Sequence, residues 1–472
     1  MELPTVAISY PKTYQQERQY ICDVIFREFL GLDYRIREED RLDTRITLLG
    51  DHDKRELLLP DILFQIPIEQ WLTKNSLPKQ PLEWWTVSEV FPKASLLNHR
   101  LPVIFGRALQ GEKYYAYSGN KITLGIDIFG SAFFMLTRYE EMVKSDRDHM
   151  GRFPAQASLA YREGFLTRPV VNEYLEVLWL TMESLWPGLQ RKRRLSRVYL
   201  SHDVDHPLYA IGKSVPQVLK STIGDMIKRK DLVTANHRIR SFAQAWRGNL
   251  DNDIYNTFEF IMRLSEQHGL RSAFYFITDH SAREIDGFYS IDDPWIRKLL
   301  WQIHKRGHEI GLHLSYNTFN DPLQIQQEFM ILKRVCEEEG IHQDLWGGRQ
   351  HYLRWQSPIT WQYWEDVGLN YDSTLTFADH VGFRCGVCYE YSVFNLKQRS
   401  PLNLRERPLI IMEATLLRYM GLPFDKISEE ISELKKRCDL FNGDFTMLWH
   451  NSSLVSCKEK ALYQNVIREI AG

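Results

Sequence analysis

From Arg197 to the C-terminus, short apolar runs alternate with amphipathic stretches, and this alternation constrains the fold more than any other feature of the chain. Val198-Tyr199-Leu200, Ser272 to Ile277, Glu309 to Leu312, Leu409 to Met412 and Phe445 to Leu448 read as buried strands. Between and around them, Thr257 to Glu266, Ile296 to Lys305, Gln324 to Glu339 and Thr360 to Val367 space their apolar residues as helices. Parallel strands need long crossovers, so strands alternating with helices imply a parallel sheet. The expectation for residues 196–472 is an α/β domain, built as a barrel or as an open wound sheet.

Residues 1–195 read as a separate, smaller, mixed α/β domain, since 472 residues exceed one ordinary domain. Tyr14 to Leu30 is helical in spacing, with Ile21, Val24, Ile25, Phe29 and Leu30 on one stripe. Short strands are expected at Ile46 to Leu49, Glu56 to Leu59 and Val103 to Phe105, and a helix over Ile128 to Met142. A second amphipathic helix carries Val171, Tyr174, Leu175, Leu178, Met182 and Leu185 and stops before Pro187. The basic run Arg191-Lys192-Arg193-Arg194 marks a connector. Nothing in this part assembles into a chemical site.

Several function classes fall away on composition. A net charge of −2 gives no general attraction to nucleic acid. No stretch of about 18 apolar residues is present, so stable membrane insertion is not expected. Met1-Glu2-Leu3-Pro4-Thr5 does not open a signal peptide, and six cysteines are too sparse for a disulfide scaffold. A cytoplasmic protein is the expectation. Cys385 and Cys388 form a lone CxxC, read as ordinary buried thiols. Lys213 to Arg247 carries Lys220, Lys228, Arg229, Lys230, Arg238 and Arg240 among apolar residues, and is read as a solvated helical insertion. Resting on a membrane surface or a lipid-linked substrate is the alternative.

Polar residues follow the strands with regularity. Val198-Tyr199-Leu200 runs into Ser201-His202-Asp203-Val204-Asp205-His206, Glu309 to Leu312 into His313, Leu409 to Met412 into Glu413, and Met447-Leu448-Trp449 into His450. C-terminal ends of parallel strands share one face, so these carboxylates and imidazoles converge. A divalent ion takes one carboxylate and one or two imidazoles, leaving positions for water and substrate. A further carboxylate can then take a proton from water, and an imidazolium can give one to a leaving amine. Two Asp two residues apart on an extended segment point the same way, so one can bind metal while the other serves as base. Alone, Asp-x-Asp is commonly an Asx-turn or helix cap. His304 and His308 precede their strand and are read as structural.

Taken in order, these motifs resemble the polysaccharide-deacetylase (NodB-homology) group of carbohydrate esterases over somewhat more than half the chain. Ser201 to His206 is similar to its first motif, Ser272 to Ile277 to its apolar second strand, and Gly307-His308-Glu309-Ile310-Gly311-Leu312-His313 to its second motif. Gly348-Arg349 and Tyr371-Asp372-Ser373-Thr374-Leu375 resemble the third motif and the strand after it, and Leu448-Trp449-His450 the last. The resemblance implies a distorted (β/α) barrel and a metal-dependent hydrolase that removes acetyl from an N-acetylated sugar or glycan precursor. It implies Asp203 as base, Asp205 and His313 as ligands of a divalent metal (zinc, or cobalt, manganese or nickel), Arg349 as partner of the base and His450 as acid. Glu413 is expected to orient His450.

The chain departs from that pattern where a second histidine is usual, four residues after the first: position 317 is Asn. Asn317, Ser315 or His351 could stand in. His351 is preferred because an imidazole restores the usual ligand set; His206 is disfavoured because it alternates away. Tyr352, Arg384 and Trp449 are the candidates for substrate contact, and Trp361 and Trp364 are read as helix core. A hydrolase of a non-sugar amide, or a carbohydrate-binding protein with a degenerate site, remain the alternatives.

Overall fold

The structure is a computed structural model that describes residues 5–227 and 230–472. Met1–Pro4, on which the signal-peptide expectation largely falls, and Lys228 and Arg229 of the basic segment lie outside the described residues. The chain divides into two compact units, neither formed from one run of sequence. The first comprises residues 1–196, 382–408 and 437–444, and the second residues 197–381, 409–436 and 445–472.

The first unit is built on a mixed sheet with strand order Tyr34–Glu38, Val6–Tyr10, Asp43–Leu48, Glu56–Pro60, Lys121–Leu124, Tyr115–Ser118. Leu57 and Leu59 alternate inward on one strand and Ile46 does so opposite Leu57, as period-2 patterning requires. The helical spacing over Tyr14 to Leu30 appears as Gln15–Cys22 continuing into Asp23–Leu30. The expected helix from Ile128 to Met142 is two, Ile128–Leu136 and Tyr139–Val143, because Arg138 between them adopts φ 54°. That conformation ends a right-handed helix. Arg138 is buried with its Nε 2.9 Å from Glu141 Oε1, which fixes the break. The hairpin Tyr391–Asn395 and Ser400–Glu406, which no sequence pattern marks, packs in this unit, with Phe394 4.9 Å from Tyr20 and 5.4 Å from Phe133 between ring centroids. Cys385 and Cys388 are buried free thiols here.

In the second unit the strands lie in the order Tyr371–Asp372, Gly347–Gln350, Glu309–Leu314, Ser272–Phe276, Arg197–Val204, Asp444–Leu448, Ile411–Met412. Neighbours from Tyr371–Asp372 to Arg197–Val204 pair in parallel, as do the last two. Helices Phe258–Gln267, Pro294–Lys305, Pro322–Glu338 and Ile359–Asp366 fill the crossovers. Ser272–Phe276 is buried at every residue, as a strand covered on both faces should be. Helix starts are specified locally: Asp321 accepts from the amides of Leu323 and Gln324 with Pro322 at the first helical position.

Two glycines show why the site strands carry so little side chain. A Cβ on Gly311 would lie 2.4 Å from the Tyr275 ring, and one on Gly348 would lie 1.8 Å from the Leu312 carbonyl oxygen. The space left at Gly311 holds Tyr275, whose ring lies 5.1 Å from the Arg349 guanidinium carbon. Backbone economy in one strand thus supports a charged side chain in another.

Candidate metal centre

Asp203 and Asp205 end the strand Arg197–Val204, and His313 sits near the end of Glu309–Leu314, in register with Arg349 on the next strand. His313 Nε2 lies 3.1 Å from Asp205 Oδ1 and 3.7 Å from Asp203 Oδ2. His351, just beyond Gly347–Gln350, brings its Nε2 to 3.8 Å from the same Asp205 oxygen. The ligand atoms of Asp205, His313 and His351 all lie within 4.8 Å of one another. Two ligands about 2.0–2.1 Å from a tetrahedral ion stand about 3.3 Å apart, and the 3.1 and 3.8 Å separations bracket that value. Asp205 Oδ1 and His313 Nε2 are buried without a hydrogen-bond partner of proper geometry. Orphaned buried atoms are costly unless something satisfies them together. One carboxylate and two imidazoles suit a zinc-like ion better than calcium or magnesium. The residues fit a metal.

Each imidazole has the same orientation. His313 Nδ1 lies 3.0 Å from the Arg349 carbonyl oxygen, His351 Nδ1 2.7 Å from Asp286 Oδ1, and His450 Nδ1 2.7 Å from Glu413 Oε1. With Nδ1–H donating to those acceptors, Nε2 of each ring keeps its lone pair or proton for the centre. His450 Nε2 reaches to 3.6 Å from Asp205 Oδ2. Asp203 is held from the other side: Arg349 donates to its Oδ1 at 2.6 Å, and the same guanidinium bonds Ser201 Oγ at 2.9 Å and the Ser373 carbonyl at 2.8 Å.

Electrostatics follow from this packing. Burial disfavours ionisation of Asp205, but the His351, His450 and His313 rings outweigh it and hold the carboxyl well below the usual range. Burial likewise opposes charge on His450, yet Glu413, Asp205 and Asp203 win and push its pKa up to about 10. His313 is raised in the same sense, burial being overcome by Asp203 and Asp205. Glu413 is lowered, because His450 and Ser453 outweigh its burial.

The structure brings Asp203, Asp205, His313, Arg349, His351, His450 and Glu413 into one cluster, with half-buried Tyr352 beside it, its ring 4.8 Å from that of His351. It does not bring the other candidates there. The Asn317 amide oxygen accepts from Arg354 at 3.2 Å and its amide nitrogen donates to the Ser281 carbonyl. Ser315 Oγ is engaged with Glu328 and Ser281. Arg384 belongs to the first unit, where it is 2% exposed and paired with Glu141 at 2.6 Å. Trp449 is 1% exposed and packs edge-on against Tyr463, because it alternates to the opposite side from His450. His206 lies beyond the strand, which ends at Val204, and is exposed.

Asp286 is a functional candidate that no sequence motif marks. It ends the short helix Arg283–Asp286, accepts from the amides of Ala282 and Tyr316, and presents its Oδ1 to His351. The one local signal is the glycine after it. Gly287 has φ 85°, and a Cβ there would lie 2.7 Å from the Asp205 carbonyl oxygen. Tyr352 and Leu353, with φ 60° and 57°, form a left-handed pair immediately after His351. Such strain in bulky residues clusters at functional sites.

Residues 6–187 match the profile of a family of unknown function, DUF7033. No curated protein matches the chain. Among solved structures, similarity is found to one described as "putative polysaccharide deacetylase from Mycobacterium smegmatis". The two share 15% identity over 60% of this chain and 85% of that one, with a TM-score of 0.38. So distant a likeness carries no functional argument; the geometry of the centre does.

Proposed function

We propose that this chain is a metal-dependent amide hydrolase that removes acetyl from an N-acetylated sugar or glycan precursor. The observation that supports it best is the pair of orphaned buried ligand atoms, Asp205 Oδ1 and His313 Nε2, completed by His351. When bound, a divalent ion such as zinc makes water easier to deprotonate and an amide carbonyl more electrophilic. Asp203, fixed by Arg349 through Oδ1, takes the proton from water. His450 gives a proton to the departing amine nitrogen, and Glu413 keeps that ring aligned and charged. Arg349 holds Asp203 in place by a charge-assisted hydrogen bond, and is itself braced on Ser201 and Ser373.

In this reading the second unit, residues 197–381, 409–436 and 445–472, is a distorted (β/α) barrel of the NodB type that carries catalysis, the first unit has a separate role, and Tyr352 contacts substrate. The order of the motifs along the sequence supports the sugar as substrate. Free thiols at all six cysteines fit a reducing compartment such as the cytoplasm.

Two measurements test the proposal. The purified protein should hold a stoichiometric divalent ion, and should release acetate from a member of a panel of N-acetylated sugars and their nucleotide-linked and lipid-linked derivatives. Asp203→Asn should lower kcat by about 100- to 10,000-fold while metal content is unchanged. Loss of metal in that variant would make Asp203 a ligand, and a metal-free, inactive wild type would leave only a binding protein.

A further inference from the structure

The segment after Asp205 folds as a helical hairpin, Val215–Ile227 and Leu232–Ala245, whose amphipathicity runs opposite to the usual sense. Its buried face is largely polar: Thr222, Asp225, Thr234, Arg238 and Ser241, with Arg238 paired to Asp225 across the two helices. Val218 and Phe242 pack inward beside Tyr209 and Ile254, and its other large apolar residues point outward. On the first helix Val215, Leu219, Ile223 and Ile227 repeat every fourth residue and are 48 to 71% exposed. On the second, Leu232, Ile239 and Trp246 repeat every seventh, and Trp246 is 78% exposed. Phe288, against which Gly212 packs too closely for any Cβ, adds a further exposed ring at the root of the hairpin.

Charge separates the possible occupants of this face. Residues 213–247 carry eight lysines and arginines against two aspartates, on a chain whose net charge is −2. Lys220 is exposed beside the first apolar stripe, and Arg240 and Arg247 are exposed beside the second. Outward aliphatic and Trp side chains flanked by cations are what an anionic lipid surface binds, the apolar groups entering the acyl boundary and the cations meeting the headgroups. No helix among the described residues is long and apolar enough to cross a membrane, so the contact is peripheral. We propose that this hairpin docks the protein on an anionic bilayer. The inference rests on the hairpin alone and stands whether or not the proposed reaction is correct.

Sedimentation of the full chain with lipid vesicles tests it. The wild type should pellet with phosphatidylcholine vesicles containing about one third phosphatidylglycerol, and bind pure phosphatidylcholine at least about tenfold more weakly, with the difference shrinking in high salt. The triple variant Leu219→Glu, Ile223→Glu, Trp246→Glu alters exposed positions only. It should keep its thermal midpoint and circular dichroism yet lose at least about tenfold in vesicle affinity. The pair Lys220→Glu, Arg240→Glu should remove the preference for anionic lipid. A wild type that stays in the supernatant overturns the proposal, as does vesicle binding indifferent to the triple variant. A dimer that the triple variant dissociates, without any lipid binding, would instead assign the face to a second copy of the chain.

Discussion

At the level of single residues, the centre is organised less by its ligand atoms than by what stands behind them. Each imidazole is tied at Nδ1, and for His351 the tie is a carboxylate, Asp286, at 2.7 Å. A ligand's carboxylate partner fixes its ring and raises its basicity, and losing it typically weakens metal binding about 10- to 100-fold. Asp286→Asn should therefore weaken metal affinity by about that factor, read by competition with a chelator, and Asn317→Ala should leave it unchanged. Equal affinity in wild type and Asp286→Asn would remove Asp286 from this role. Asp203, Asp205, His313 and His450 could be expected in one cluster from the sequence because each closes an apolar run. Asp286 could not, because its helix is one turn long and its function depends on a ring sixty-five residues away. Arg384 misled for the converse reason: an arginine flanked by glycines looks poised for a ligand, yet its charge is spent on a buried glutamate.

At the level of elements, the parallel strands were legible wherever they were apolar throughout. Gly347–Gln350 was visible only as a motif, since Gly-Gly-Arg-Gln has no strand-like periodicity. Its glycines are a packing demand. Gly348→Ala should destabilise the protein by roughly 2 kcal/mol or more, because the clash at 1.8 Å is with backbone rather than a movable side chain. Denaturant titration measures this, and a loss below about 0.5 kcal/mol, the range of an ordinary surface change, would show that the strands simply part. The split at Arg138 was invisible for another reason: apolar spacing continues across it, and only the φ of 54° reveals the break. The hairpin Tyr391–Asn395 and Ser400–Glu406 lies in a stretch rich in polar residues, where pattern is weak.

For the molecule as a whole, acid stability turns partly on His202. Its ring is fully buried, its Nδ1 donating to the Trp449 carbonyl at 2.7 Å and its Nε2 facing Ser272 Oγ at 3.2 Å. Burial drives its pKa from 6.5 down to about 4. The unfolded chain therefore takes up a proton below about pH 6.5 that the native state refuses until about pH 4, so stability falls as pH drops through that window. The loss reaches about 3 kcal/mol at its lower end. Comparing unfolding free energies at pH 7 and 5 in wild type and His202→Gln should show a smaller drop in the variant; identical drops would exclude the ring as a source. The division of the chain into units bears on biosynthesis. Tyr20 and Phe133 meet Phe394, and residues 437–444 also belong to the unit that begins at the N-terminus. Those residues leave the ribosome only after the whole of residues 197–381 has been made, so the earlier segment waits until then, incomplete and with aromatic surface bare. A fragment ending near residue 195 should aggregate on expression, and a nascent chain of this protein should lean on chaperones until residues 382–444 emerge.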